Sequence, residues 1–259
     1  MAGPTEPVLE VRNVSRRFGG LLAINDFSFK VYPGTIHGLI GPNGAGKTTT
    51  FNVISGFYAP TSGQVFYQGA DVSGRKTSAL AELGLIRTFQ GTTLFHELSV
   101  LDNVRVGCHR SARASFLSRV LGTDRGIEQT ATAKALDVLE FFDLADLAHE
   151  STANLPHGHQ RALGMAVALA ADPKLILLDE PFTGMNPEET RRMMDLVRLV
   201  RDRGVTVMLV EHDMQAVMGL CEIITVMNFG TLLTEGTPEQ VRKDPVVIEA
   251  YLGSAVHAA

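Results

Sequence analysis

The chain has 259 residues, 45% of them apolar and 20% charged, with a formal net charge of −5 and two cysteines. That length and apolar share suit a folded chain and exclude a disordered one, while the acidic balance excludes a general attraction to nucleic acid. Cys108 and Cys221 form no CxxC pair, which excludes a zinc ribbon and points to a reducing compartment. MAGPTEPVLEVRN has no basic segment followed by an apolar run, so no secretory signal is expected. No run reaches the apolar length of a membrane span, since Asp172, Pro173 and Lys174 cut the best candidates. A soluble, cytoplasmic chain is the expectation.

Residues 8–14 and 27–31 alternate with a period near two, which predicts strands of a half-buried antiparallel sheet. An apolar strand over 35–40 runs into GPNGAGKTTT. Residues 64–68 predict a further strand, followed by a Gly-Ala-Asp turn. From about 91 to 155 the signals are helical, clearest in IEQTATAKALDVLEFF, where Ile127, Ala131, Ala135, Val138 and Phe142 fall near one face. A helix over 159–171 ends at Asp172-Pro173. Leu175–Leu178 is uniformly apolar, as in a strand buried on both faces.

Asn186 and Pro187 predict the N-cap and first residue of a helix ending near Gly204, with Glu188 and Glu189 at its positive end. VTVMLVEH predicts a second buried strand, DMQAVMGLC a short helix, and ITVMNFGTLLTEG a hairpin turning at 228–230. TPEQ opens one last helical stretch with a capping box. Buried strands alternating with helices imply a parallel sheet, to which the early antiparallel strands and the helical middle are additions. The fold class is therefore α/β.

The segment Gly41-Pro42-Asn43-Gly44-Ala45-Gly46-Lys47-Thr48-Thr49 matches the phosphate-loop pattern between a strand and a helix. Glycines let the backbone curl so that its N–H groups converge on a phosphate, and the helix N-terminus adds positive charge. Lys47 would reach the β- and γ-phosphates of ATP, and Thr48 would ligate Mg²⁺. In LILLDE, Asp179 ends a buried strand at the carboxyl edge of the sheet, where α/β proteins bind ligands. Asp179 would hold Mg²⁺ through a water, and Glu180 would polarise the attacking water.

His212, in VEHD, could donate to a γ-phosphate, but alone it reads as a structural loop residue, and Gln90, in RTFQG, as an exposed polar one. LPHGHQR, from Leu155, admits three readings: a metal site, an ordinary helix start, or an altered catalytic motif.

In order, these elements resemble the ATP-binding subunit of an ABC transporter over essentially the whole chain. The resemblance is carried by Phe18, GPNGAGKTT, Gln90, a helical insert, LPHGHQR, LILLDEP, a D-loop at Gly184-Met185-Asn186-Pro187, and His212. It implies an ABC ATPase of the P-loop class: a mainly parallel core with an antiparallel β subdomain over about 1–90 and 156–259, and a helical subdomain over 91–155. It implies that Gln90 contacts Mg²⁺ and water and senses the transmembrane partner, that His212 is the switch histidine, and that Phe18 stacks on adenine.

FGGLLAINDFSF, GLIRTFQGTTLFHELSVLDNV and the ending TPEQ…DP…I…AYLG resemble the branched-chain amino-acid uptake group, whose relatives also serve urea and short amides. Lipopolysaccharide-export ATPases share several of these strings, and a nucleotide-sensing module without turnover would keep the same phosphate loop.

Under this resemblance LPHGHQ occupies the place of the signature LSGGQ, which faces the γ-phosphate bound by the opposite subunit. Leu155, Gly158 and Gln160 are kept, whereas Pro156 replaces serine and His157 the first glycine. Proline offers neither hydroxyl nor N–H, so one donor to the partner's nucleotide is missing. A metal site is the poorest of the three readings, because two histidines have no third ligand nearby. The resemblance implies permease subunits as partners, a second ATPase subunit (the same or a different chain), and an external binding protein. It also implies a place on the inner face of the membrane. Within 105–125, Arg105, Arg110, Arg113, Arg119 and Arg125 are opposed only by Asp124 and interleave with Phe116, Leu117, Val120 and Leu121. They read as a solvated basic face or as a contact with anionic headgroups or acidic loops. Phe95 is a candidate permease contact.

Overall fold

Alternation of apolar and polar residues produces the first two strands, β1 (Leu9–Phe18) and β2 (Leu21–Val31), joined by a two-residue turn. The computed structural model describes residues 6–88, 94–108 and 124–256. With β4 (Ser62–Tyr67) and β5 (Ala70–Asp71) these strands form an antiparallel sheet in the order β2-β1-β4-β5. The expected Gly-Ala-Asp turn shifts back by one residue. Gln68 and Gly69 take the positive φ angles, 50° and 76°, and Ala70 and Asp71 already pair with Tyr67 and Phe66.

The second sheet contains β3 (Ile36–Ile40), β6 (Leu85–Thr88), β7 (Leu175–Asp179), β8 (Thr206–Val210), β9 (Ile223–Asn228) and β10 (Thr231–Gly236). Its order is β10-β9-β3-β8-β7-β6, and only β10 runs antiparallel to its neighbour. Both faces are buried. Leu39, Leu175, Leu177, Met208 and Val210 face a core shared with β1, β2 and the helix α1 (Lys47–Ile54). Ile40, Ile176, Leu178, Val207 and Leu209 face a second core. That core is built with α3 (Val100–Gly107), α4 (Asp124–Phe141), α5 (His157–Ala170), α6 (Pro187–Asp202) and α7 (Met214–Leu220). Adjacent residues on one strand therefore serve opposite cores, which is why these strands are apolar without alternation.

Three local outcomes differ from the sequence pattern. The helix α2 (Thr77–Leu83) and the edge strand β6 were not expected; β6 has only four residues and is recruited by pairing with β7. The helix α5 begins at His157 rather than 159, because Pro156 serves as its N-cap with φ −54° and ψ 151°. The final helical stretch is two helices, α8 (Pro238–Lys243) and α9 (Pro245–Val256). Pro245 disfavours helical geometry at Asp244, which sits at φ −71° and ψ 116°. Elsewhere local signals suffice. The Asn186 side chain accepts from the N–H groups of Glu188 and Glu189, and Glu189 accepts from the N–H of Asn186, closing a capping box.

A polar chain crosses the sheet at His37. Its Nε2 lies 2.8 Å from Thr225 Oγ1, whose hydroxyl donates to Glu235 Oε2 at 2.6 Å. The single hydroxyl proton is thus committed to Glu235, so His37 donates through Nε2. Burial pushes the His37 pKa from 6.5 down to about 4. The unfolded chain therefore binds this proton first on acidification. Stability is undiminished above the unfolded value and falls as pH drops toward the folded one, by about 2 kcal/mol between pH 7 and 5. Denaturant unfolding of wild type and His37→Gln at both pH values should give a shallower acid dependence for the variant; equal slopes would refute this.

Candidate nucleotide site

β3 delivers the chain into the loop 41–46, and α1 leaves it. Two glycines are required by space. A Cβ on Gly46, at φ 108°, would lie 2.6 Å from the Ala23 carbonyl oxygen, and one on Gly41 would lie 2.0 Å from that of Met227. Gly230 N–H donates to Ala45 O at 2.8 Å, so the β9–β10 hairpin braces the loop from outside. Gly46 caps α1 without any side-chain acceptor, leaving the first helical N–H groups directed into the loop. An anion fits such a terminus.

Lys47 is 9% exposed, and its ammonium donates to Gly41 O at 2.7 Å and Pro42 O at 3.0 Å. Burial lowers its pKa, and the charge of Glu180 opposes that shift. Asn43, Gly44 and Thr48 are exposed, while Pro42 and Thr49 are half-buried.

Asp179 closes β7 and is buried, its Oδ2 accepting from Arg87 Nη2 at 2.7 Å. Thr48 and Asp179 offer hydroxyl and carboxylate oxygens, a hard donor set of the kind Mg²⁺ prefers. Glu180 follows at φ 48°, an uncommon conformation for a side-chain-bearing residue, held by its N–H donating to Val210 O at 2.9 Å. Its Oε2 accepts from Thr183 Oγ1 at 3.3 Å, and its Oε1 lies 3.9 Å from His212 Nδ1. The His212 ring is mostly exposed, free to meet a ligand at the strand edge.

Glu211 was not anticipated. Its buried carboxylate accepts from Phe182 N–H through Oε1 at 2.9 Å, and from His212 N–H through Oε2 at 2.9 Å. It ties the loop after β7 to the loop after β8 and so sets the spacing of Glu180 and His212. The available signal was an acid ending an otherwise apolar strand. Phe18 caps β1, with its ring 5.1 Å from that of Tyr58 and the Arg16 guanidinium 4.5 Å from its centre. The same hairpin supplies Ala23 to the phosphate loop.

The structure brings Lys47, Asp179, Glu180 and His212 together at the carboxyl edges of β3, β7 and β8. The segment at 155–160 has other neighbours. Leu155 is buried, and its carbonyl accepts from Gln160 Nε2 at 3.0 Å, while Pro156, His157 and His159 are exposed. His157 lies beside Gly184, and Gly158 beside the Glu189 carboxylate. Gln90 and the basic stretch from Arg110 to Arg119 lie outside the described residues, as does the Arg125 side chain. Phe95 is exposed, and its backbone is clamped by Asn103, which accepts from its N–H at 2.8 Å and donates to its carbonyl at 3.0 Å. Among the described residues no helix is long and apolar enough to cross a membrane.

Residues 24–183, more than half the chain, match the family model described as ABC transporter. The chain belongs to the ABC transporter ATP-binding family. Residues 231–257 of this ABC subunit match a second model, branched-chain amino acid ATP-binding cassette transporter. It is 41% identical over 254 residues to the high-affinity branched-chain amino acid transport ATP-binding protein LivG of Escherichia coli (strain K12). It is 42% identical over 254 residues to the corresponding protein BraF of Pseudomonas aeruginosa. Each comparison covers 97% of this chain and 100% of the relative.

Among solved structures, a nucleotide-free ATP-binding cassette from an ABC transporter superposes with a TM-score of 0.84 at 30% identity, covering 95% of this chain and 99% of the other. An ATP-binding cassette in its ADP conformation gives 0.83 at 29% identity, covering 96% and 100%. The ABC subunit therefore has the α/β P-loop ATPase fold of these cassettes, in a family whose members bind ATP and work with transmembrane permease subunits.

Proposed function

We propose that this ABC subunit hydrolyses ATP to drive uptake of branched-chain amino acids or related small amides. The observation that carries the reading is the identity to branched-chain amino acid transport ATP-binding proteins along their entire length. In this reading the backbone N–H groups of residues 43–49 and the Lys47 ammonium cradle the β- and γ-phosphates. Thr48, Asp179 and Gln90 hold Mg²⁺, which when bound offsets charge on the phosphate oxygens. Glu180 accepts the proton of the attacking water, His212 donates toward the γ-phosphate, and Phe18 stacks on the base. Leu155, Pro156, His157, Gly158 and Gln160 form the signature that the partner subunit's nucleotide meets. Residues 91–155 are the helical part that faces the permease, on the inner side of the membrane.

Glu180 suits its role. The carboxylate stands 3.9 Å from a histidine and interacts electrostatically with Lys47, so a water between them would meet a base and two donors. The test is reconstitution with permease subunits and a second ATPase in vesicles, with an external binding protein loaded with leucine. ATP turnover that rises with the loaded binding protein, together with leucine accumulation, is the expected result. Turnover indifferent to leucine would reject the substrate class, and no turnover would reject the enzyme.

A further inference from the structure

Arg87 lies in β6, three residues ahead of Gln90, and its side chain is 4% exposed. Its Nη2 donates to Asp179 Oδ2 at 2.7 Å, while its Nη1 donates to Asn52 Oδ1 at 2.7 Å and to Ser55 Oγ at 3.0 Å. The guanidinium carbon stands 5.8 Å from the centre of the Phe51 ring. One buried fork thus joins the strand leading to Gln90, the strand ending in Asp179, and the helix beginning Lys47-Thr48. Burying a guanidinium is costly, and here a carboxylate and two neutral oxygens compensate it. Its rigid plane fixes the directions of all these bonds, which a lysine ammonium would not do.

We propose that Arg87 is a positioning residue for the divalent cation. It holds one carboxylate oxygen of Asp179, so that the other is the metal-facing acceptor. Through Asn52 and Ser55 it keeps the helix that carries Thr48 in register with Asp179. The inference rests on the reading that Thr48 and Asp179 hold Mg²⁺. Because β6 leads directly to Gln90, displacement of that strand would disturb the metal oxygens through this same fork.

The experiment is calorimetric titration of the full chain with ADP, once in EDTA and once in excess Mg²⁺. The ratio of the two affinities isolates the contribution of the cation without reference to turnover. Arg87→Lys keeps the charge opposite Asp179 but cannot reproduce the fork, and should reduce that ratio by about tenfold or more with affinity in EDTA unchanged, as supporting residues around a metal usually do. Asn52→Ala leaves the ion pair intact, guards against loss of the fold, and should give a smaller drop in the same ratio. Ratios equal to wild type in both variants would overturn the proposal, as would a parallel fall in both affinities tracking a lower unfolding temperature. A wild-type chain with no gain from Mg²⁺ would instead reject the underlying metal reading.

Discussion

Glu180→Gln is expected to lower ATP turnover of the assembled transporter by about 10²–10⁴-fold, the range typical for losing a positioned general base. Nucleotide affinity should change little, because Lys47 and the loop amides remain. The backbone supports the substitution. Glu180 is held by its own N–H to Val210 O and by Thr183 against its Oε2, and a glutamine amide oxygen can still accept that hydroxyl. The αL conformation at φ 48° is no worse for glutamine than for glutamate. Blocking hydrolysis should also trap any ATP-sandwiched dimer, which light scattering reports directly. A dimer of this chain alone with ATP would mean that LPHGHQ suffices as a signature. A dimer only with a second ATPase subunit would mean an obligate mixed pair. Residual turnover within tenfold of wild type would remove Glu180 from the role of base.

Pro156→Ser is expected to raise turnover in a mixed complex by roughly ten- to a hundredfold. A hydrogen bond to a charged group contributes about 1.5–3 kcal/mol, and the substitution adds both a hydroxyl and an N–H. The local structure makes this a clean exchange. Pro156 is the exposed N-cap of α5, and that helix has no side-chain cap. Serine is among the best N-cap residues, so the helix start should be strengthened. If, as proposed, each signature meets the opposite phosphate loop, the gain should fall on the nucleotide bound by the partner. Site-resolved occupancy in the mixed complex, with the partner's phosphate-loop lysine intact or substituted, measures this. No change, or a fall, would refute the reading that Pro156 leaves the partner's nucleotide one donor short. His157 has a competing neighbour in Gly184, which makes the proline position the more direct one to test.

Much of the nucleotide site was legible because its signals are local. A glycine-rich loop between strand and helix, an apolar strand ending in two acids, and Asn186-Pro187 ahead of two glutamates are each encoded within a few residues, and each forms where expected. The antiparallel start and the doubly buried strands were legible for the same reason: one follows period two, the other its absence. Where local rules compete, the reading slipped. The helix expected from 159 starts two residues earlier, with Pro156 as its cap, and Pro245 divides the final helix.

The residues that set the site's geometry were not legible. Arg87 meets Asp179 across 92 positions, and Glu211 meets Phe182 across 29. Those contacts exist only because β6, β7 and β8 lie side by side in parallel register, with Thr88 opposite Leu178 and Asp179 opposite Val210. Sequence periodicity determines which faces of a strand are buried. Which strand lies beside which is decided by long-range pairing and the packing of two cores against one sheet, and only that order tells a buried arginine or glutamate what charge or N–H it will meet.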